Sequence, residues 1–391
     1  MNINETTYWV TLASMPKMWT KRKNQLFVEC YKHEPRYSIV DLFERPDIRI
    51  ELGVTPDEEA LFTEAHDQLA NYAFMTEDLL NQGYDILPIT SPDYPQSLKK
   101  NLKQSTPCVI YVKGNKTLLN TEATAIVGSR KADNISLEFT NIIAKTAVKE
   151  NKTIVSGFAK GVDRQALDAT IEANGASIII LPQGITTFAS GFRQYYEQIC
   201  MGKVTVISTF HPKAPWSKEL AMARNSIIYG LATEIYVAQS DNKGGTWSGV
   251  IQGLKKGQKI YIRVPESNEK NANMLLIQKG GIGVDLYGNL TTTPYTYSTD
   301  SPDYILCSEP NNTTTKDSSD NDTYSDLKKS ILESLTAKKT SKEILSALKS
   351  DWSDAKMKKY LRSLPEVDEE KRAGKVYFFK KGYKEQSLFD M

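Results

Sequence analysis

The sequence predicts an α/β protein built on a doubly wound parallel sheet, and two observations carry this prediction. Between residues 115 and 265, six short apolar runs rich in β-branched residues alternate with segments of helix length. Most of these runs are apolar on both faces, which is typical of parallel strands covered by helices on both sides. The six runs are TAIVGSR, KTIVSGF, ASIIILP, KVTVIST, EIYVAQS and KIYIRVP.

The region before the sheet is predicted to be helical. Pro56 opens the segment DEEALFTEAHDQLANYAFMTEDLL, in which apolar residues recur every three or four positions. This spacing places them on one face of a helix. We therefore expect a helical N-terminal region over residues 1–81, followed by an extended Rossmann-like domain over residues 82–307.

The C-terminal part differs in composition. Residues 308–323 contain no large apolar side chain, so this segment cannot bury enough surface to offset the entropy of ordering, and we expect a flexible linker. Residues 324–391 hold 16 Lys and Arg against 11 Asp and Glu. A capping box from Thr340 to Glu343, a further helix and a strand-like hairpin predict a winged-helix domain there.

The partner of this winged helix stays open between DNA and another protein, because its third helix offers cations but little base-reading chemistry. These cations are Lys356, Lys358, Lys359 and Arg362.

Composition excludes several classes of protein. Of the 391 residues, 40% are hydrophobic and 25% are charged, which excludes wholesale disorder and coiled coil. The chain contains no apolar stretch of about 20 residues, the length needed to span a membrane, and its polar start lacks the pattern of a secretory signal. Its four cysteines form no CxxC pair. We expect a cytoplasmic protein with no membrane contact and no metal.

Two glycine-rich loops are the candidate site. In a doubly wound sheet, ligands bind beyond the carboxyl ends of the strands. There, Gly128-Ser129-Arg130 follows one strand and Ser156-Gly157-Phe158-Ala159-Lys160-Gly161 follows the next. Glycines and helix starts favour the approach of an anion, and an arginine adds a fork for phosphate. Neither loop is a GxxxxGK[ST] or a GxGxxG sequence, so ATP hydrolysis and a dinucleotide site are disfavoured and we expect no cofactor.

These loops and the segments around them resemble the DNA-processing protein A family (DprA, also called Smf). The resemblance covers about residues 82–285 and departs from the family pattern enough to suggest a divergent subgroup. Its motifs, in order, are Asp93-Tyr94-Pro95 with Leu98, Pro107, Ile110 to Asn115, AIVGSR, SGFAKGVD, ASIIIL with Gly184-Ile185, Arg224-Asn225 with Ile227 and Gly230-Leu231, and Gly244-Gly245-Thr246.

The resemblance implies a non-enzymatic protein that binds single-stranded DNA and works as a homodimer. It further implies protection of single strands and their transfer to a RecA-type recombinase, in DNA recombination or in natural transformation of competent cells. By motif position and by charge, the nucleic-acid-binding residues are expected to be Gly128, Ser129, Arg130, Ser156, Gly157, Ala159, Lys160, Gly161, Lys213, Arg224 and Asn225.

One departure from the family pattern affects how a base would be held. Ala221-Met222 stand where the family often has Phe-Pro, so the aromatic that would stack on a base is not in its usual place. Phe210 or Trp216 could replace it, although a buried loop anchor is the expected role of Trp216.

The sequence also suggests two other classes of function. A sensor of a nucleotide-derived ligand, in signalling or phage defence, is the main alternative because related Rossmann-like proteins include such binders. An enzyme like the nucleotide phosphoribohydrolases has a loop similar to Gly244-Gly245-Thr246, but it needs a glutamate just after this loop as a general acid or base. The residues from Trp247 to Gln252 contain no carboxylate, so we expect no enzymatic activity.

Overall fold

The computed structural model describes residues 3–267 and 269–291, together with 330–332, 334–335, 337–348, 353–364, 366–372 and 375–380. The chain divides into two compact units, Met1–Tyr295 and Thr296–Met391. The predicted linker, residues 308–323, lies outside the described residues.

Helices occupy the first part of the larger unit. They are α1 (Ile3–Ser14), α2 (Thr20–Lys32), α3 (Ile39–Glu44), α4 (Pro46–Glu51), α5 (Pro56–Asp67) and α6 (Leu69–Asn81). Thr55 and Glu58 form a capping box at the start of α5, where Pro56 takes the first helical position. The missing N–H of a proline is harmless at that position, because the amide there has no partner within the helix.

A nine-stranded sheet follows these helices. Its strands are β1 (Asp85–Pro88), β2 (Val109–Lys113), β3 (Ala123–Val127), β4 (Thr153–Ser156), β5 (Ser177–Ile180), β6 (Val204–Ser208), β7 (Glu234–Val237), β8 (Ile260–Arg263) and β9 (Ile282–Val284). They lie in the order β1-β2-β6-β5-β4-β3-β7-β8-β9. The six predicted strands are β3 to β8, and all of them run parallel, so the prediction of a parallel α/β sheet is confirmed.

The edges of the sheet depart from the prediction. Strand β2 pairs antiparallel with both β1 and β6, and β9 extends the parallel part beyond β8. The apolar runs of the sequence predict no strand at the positions of β1, β2 and β9. The sheet is therefore parallel at its centre and antiparallel at the β1 edge.

Helices cover both faces of the parallel strands. They are α7 (Gln96–Leu102), α8 (Asn134–Lys149), α9 (Val162–Glu172), α10 (Ala189–Gln194), α11 (Tyr196–Cys200), α12 (Lys218–Leu231), α13 (Gly245–Lys255) and α14 (Asn273–Gln278). Ile126 of β3 packs in one cluster with Phe139 of α8. Its neighbours Ala125 and Val127 point to the opposite face and pack in a second cluster with residues of α12 and α13. Successive side chains of a strand point to opposite faces, so both faces are buried.

The N-terminal helices share a core with the sheet. Trp9 and Leu12 of α1 belong to the same buried cluster as Val109 and Tyr111 of β2. The buried side chain of Asn24 in α2 also donates hydrogen bonds to the backbone oxygens of Gln104 (2.9 Å) and Thr106 (2.7 Å). The helical region and the sheet are therefore packed as one unit.

Among its described residues, the smaller unit includes the helices Ser341–Ala347 and Asp354–Ser363 and a three-stranded antiparallel sheet. The strands are β10 (Lys339–Thr340), β11 (Val367–Arg372) and β12 (Lys375–Lys380). The predicted capping box between Thr340 and Glu343 is present. The hairpin lies where the wing was expected, while the winged-helix arrangement as a whole stays a prediction.

Two of the four cations proposed for this unit are paired within it. The ammonium group of Lys358 lies 2.8 Å from Asp354, and the guanidinium of Arg362 lies 2.8 Å from Glu369. Both are surface ion pairs, which hold a side chain only weakly. Their presence leaves the choice between DNA and protein as the partner open. In the part of the chain that the structure describes, no helix has the length and apolar character needed to cross a membrane.

A chain that ends at Cys307 should keep the folding stability of the larger unit. The apolar core of the smaller unit is a cluster of residues between Ile331 and Phe378, whereas the clusters of the larger unit draw on residues between Tyr8 and Val284. Because the described core of the larger unit is built from its own residues, we expect the melting temperature of the larger unit to change little, as measured by scanning calorimetry. A large drop in that temperature would show that the two cores depend on each other.

Candidate functional site

A cavity of about 470 Å³ opens at the carboxyl ends of β3, β4 and β7. The chain proceeds outward from β3 through β4, β5 and β6, and then returns to the other side of β3 as β7. The order of strands reverses between β3 and β7, and ligands of doubly wound sheets bind at such a point. Topology therefore places the cavity where a ligand is expected.

The loop after β3 forms one wall. The Ser129 amide donates a hydrogen bond to the Gln239 oxygen at 2.9 Å, and the Val162 amide donates to the Ser129 oxygen at 3.3 Å. A Cβ atom on Gly128 would lie 2.5 Å from Cγ2 of Val162, which is too close for any side chain. Glycine is required here because the start of α9 packs directly against the loop.

The loop after β4 is held against the first loop. Gly161 has φ +75°, and a Cβ atom there would lie 2.4 Å from the Ser129 oxygen. The hydroxyl of Ser156 donates to the backbone oxygen of Asp163 at 3.2 Å. The Ala159 amide donates to the Asp163 carboxylate at 3.3 Å. Asp163 therefore fixes the loop from within the first turn of α9.

Arg224 of α12 crosses beneath the second loop. A Cβ atom on Gly157 would lie 1.1 Å from its Nη1 atom, so the guanidinium occupies the space that a side chain on Gly157 would fill. Nη1 lies 3.7 Å from Oδ2 of Asp163, and Arg224 is only 4% exposed. Its Nε and Nη1 atoms are buried and have no hydrogen-bond partner. A buried cation with unused donors is costly to maintain unless a ligand completes it.

Burial also shifts the ionisation of this pair. It lowers the pKa of Arg224, and the Asp163 charge opposes that shift. Burial raises the pKa of Asp163, with the Arg224 charge opposing in turn. In both groups burial has the larger effect, which means that each compensates the other only in part. The pair is therefore buried at a cost in solvation that its mutual attraction does not fully offset.

The start of α13 forms the far wall. Gly244, with φ +93°, stands at the N-cap position and offers no side chain to cap the first amides of the helix. The Thr246 hydroxyl donates to the Gly128 oxygen at 3.0 Å, and the Asn225 amide group donates to the Gly245 oxygen at 3.3 Å. The uncapped amides of a helix start attract anions, and here they border the cavity.

The mouth of the cavity is cationic. Its lining includes five cations against two carboxylates; the cations are Arg130, Lys131, Lys218, Arg224 and Lys243, and the carboxylates are Asp163 and Asp241. Trp216 and Met222 also line the mouth and are 52% and 40% exposed. The expectation that Trp216 is a buried loop anchor is therefore wrong.

The structure brings most of the predicted site residues together. The cavity is lined by Gly128, Ser129, Arg130, Ala159, Arg224 and Asn225. Ser156, Gly157 and Gly161 lie beneath them and hold the loops in place through the contacts described above. Lys160 and Lys213 are exposed and lie outside the lining, so their role in binding stays a prediction.

Sequence reasoning missed three rim cations and one buried hydroxyl. Lys131 directly follows Arg130, Lys218 lies in the first turn of α12, and Lys243 precedes Gly244. An inspection of the cations that flank each predicted loop would have found all three. Tyr229, which also lines the cavity and has a buried, unpartnered hydroxyl, gave no signal because a tyrosine in a helix is typical of an ordinary core residue.

The fold and the cavity define a Rossmann-like α/β protein with a cationic cavity at the carboxyl edge of its sheet. The chain belongs to the family described as DNA recombination-mediator protein A, whose model matches residues 85–286, just over half of the chain. This confirms the resemblance found in the sequence.

Individual relatives agree with this assignment. The DNA processing protein DprA of Bacillus subtilis is 31% identical over 189 residues, which are 46% of this chain and 60% of that protein. The protein of the same name from Streptococcus pneumoniae is 25% identical over 202 residues, which are 52% of this chain and 70% of that protein. The chain thus matches about three fifths of the length of the Bacillus relative.

A solved structure shows the same fold. The crystal structure of DNA processing protein A from Streptococcus pneumoniae superposes with a TM-score of 0.59 and 22% sequence identity. The match covers 72% of this chain and 94% of that structure. At this identity the likeness concerns the fold alone.

A double-mutant cycle should detect the contact between Gly157 and Arg224. Gly157→Ala should lower the free energy of unfolding by about 1–3 kcal/mol, because the new methyl group displaces a packed guanidinium. In an Arg224→Ala background the same change should have little effect, since the space is then free. Urea denaturation of the four proteins measures both values, and equal effects in the two backgrounds would contradict the contact.

Proposed function

We propose that this chain binds single-stranded DNA in the cavity between β3 and β7. The observation that carries the proposal is the buried Arg224, which lines a cavity rimmed by four further cations. Backbone amides and cations contact phosphates without regard to sequence. A protein that handles any single strand needs this kind of contact, and the relatives bear the name of DNA processing proteins.

The exposed apolar side chains at the mouth support the same proposal. Single strands bind to grooves that combine positive charge with aromatic side chains on which bases stack. Trp216 is half exposed beside the cation Lys218, so it offers a ring where a base would emerge from the cavity. Phe210 does not line the cavity. We therefore assign the stacking role to Trp216.

The proposal extends to the wider role that the family membership suggests. It comprises a homodimer in the cytoplasm that protects single strands and transfers them to a RecA-type recombinase, during recombination or transformation. We propose binding rather than catalysis, because the buried carboxylate of the cavity, Asp163, is engaged by the Ala159 amide and by Arg224. The support for these points is the family and the site chemistry.

A nucleotide-derived small molecule is the second candidate ligand. The cavity volume of about 470 Å³ falls within the range of small-molecule sites, roughly 300–1,000 Å³. Tight binding of a nucleotide, together with no binding of any single strand, would favour this candidate.

Arg130→Ala and Arg224→Ala should each weaken binding to single-stranded DNA. Each lost phosphate contact should reduce the magnitude of the slope of log affinity against log salt by about 0.7 on a single strand. Fluorescence anisotropy at several salt concentrations measures affinity and slope together.

Lys149→Ala is the matched control for this experiment. Lys149 is an exposed cation in the last turn of α8, at the edge of the sheet opposite the cavity. Its removal should change neither affinity nor slope. If both arginine variants remain folded and bind like the unchanged protein, the site is wrongly assigned.

Trp216→Leu should separate stacking from phosphate contact. Loss of a stacked base reduces the binding free energy by about 1–3 kcal/mol, but it removes no phosphate contact, so the salt slope should stay unchanged. The quenching of tryptophan fluorescence by bound DNA should also decrease. A reduced slope with undiminished quenching would contradict the stacking role.

A further inference from the structure

We propose that the cavity receives the end of a single strand, and that it selects a terminal phosphate monoester over a phosphodiester within the strand. This inference rests on the proposed binding of single-stranded DNA and names the part of the strand that the cavity holds. Three independent properties of the cavity lead to it, namely its size, its charge and the depth at which its cations lie.

The size of the cavity limits it to about one nucleotide. Its volume of about 470 Å³ lies toward the low end of the roughly 300–1,000 Å³ found for sites that enclose a single small ligand. A strand that passed through would have to enter and leave the same small space. A strand end needs only one opening.

The charge of the cavity exceeds what one phosphodiester neutralises. Five cations against two carboxylates leave three positive charges in the lining. An internal phosphodiester carries one negative charge, whereas a phosphate monoester carries about 1.5 to 2 at pH 7. With room for one nucleotide, the monoester is the better electrostatic match.

The buried Arg224 lies deeper than the side chains at the mouth, and this difference in depth sets the direction in which a strand would enter. Trp216 and Met222 at the mouth are 52% and 40% exposed, whereas Arg224 on the same side of the cavity is 4% exposed. The phosphate therefore enters first and the base stays at the mouth beside Trp216.

The lining of the cavity offers donors for more oxygens than a phosphodiester can present. The Arg224 guanidinium lines the cavity, and the first amides of α13 carry no side-chain cap. Arg130 at the rim adds a second fork. A monoester presents three terminal oxygens and a phosphodiester presents two. The monoester therefore has one terminal oxygen for each of these three donor groups.

The experiment compares three oligonucleotides on the full chain. Strands of about 12 thymidines, within the length bound by known single-strand binders, carry a 5′-phosphate, a 3′-phosphate or hydroxyls at both ends. We expect one phosphorylated strand to bind about 10- to 100-fold more tightly than the hydroxyl strand, the range expected for added charge-assisted hydrogen bonds. Thymidine monophosphate and inorganic phosphate serve as competitors.

The outcomes distinguish this inference from the proposed function. Equal affinity for all three strands overturns the inference and leaves single-strand binding intact. Binding of thymidine monophosphate with no binding of any strand overturns the proposed function and the strand end together, and makes a free nucleotide the source of the monoester. Competition by inorganic phosphate alone, as strong as by the nucleotide, would overturn the role of the base at the mouth.

Two variants locate the selectivity. Arg224→Lys keeps a cation but loses the fork, so the preference for the phosphorylated strand should disappear while affinity for the hydroxyl strand falls less. Because Arg224 is buried, melting temperature is measured alongside. Lys243→Ala changes an exposed residue next to the start of α13 and should reduce the preference several-fold without affecting folding. An unchanged preference in both folded variants would contradict the assigned groups.

Discussion

The contact between a glycine and a buried guanidinium organises the whole carboxyl edge of this sheet. Arg224 lies where a side chain on Gly157 would be, and this brings α12 against the loop after β4. Asp163 lies on the other side of the guanidinium and also accepts a hydrogen bond from the Ala159 amide. The loop, the start of α9 and the floor of the cavity therefore all pack against one side chain, Arg224.

The centre of the fold could be predicted from the sequence, because strands buried on both faces have to be apolar at nearly every position. The segment from Ala123 to Val127 is buried at every position, as are β4, β5 and β6, and β7 and β8 are buried at two and three of their four positions. Strand β1 gives a weak signal, since it has four residues and ends in Pro88. Strand β2 was missed because it precedes the run of alternating strands and helices and pairs antiparallel with both of its neighbours.

The sequence predicted the glycine-rich backbone of the site and, through the family motifs, the side chains of Arg130, Arg224 and Asn225. Glycines such as Gly128 and Gly161 predict that two loops approach each other closely. The structure shows contact distances at these positions that only glycine allows. The lysines at the rim give no comparable sequence signal, because an exposed lysine near a loop resembles any other surface charge. The exposure of Trp216 depends on how the segment before α12 leaves the sheet, which periodicity does not reveal.

The bond between Thr246 and the Gly128 oxygen has a mechanical consequence for the sheet. The strands β4, β5 and β6 lie on one side of β3, and the strands β7, β8 and β9 lie on the other. Within the central sheet, the two halves are joined by the ladder between β3 and β7. An anion held between Arg224, the loop after β3 and the start of α13 spans this seam from above. Such an anion would therefore add one more link across this line, beside the Thr246 hydroxyl, the hydrogen bond from Arg263 to Ser136 and the ion pair between Lys152 and Glu234.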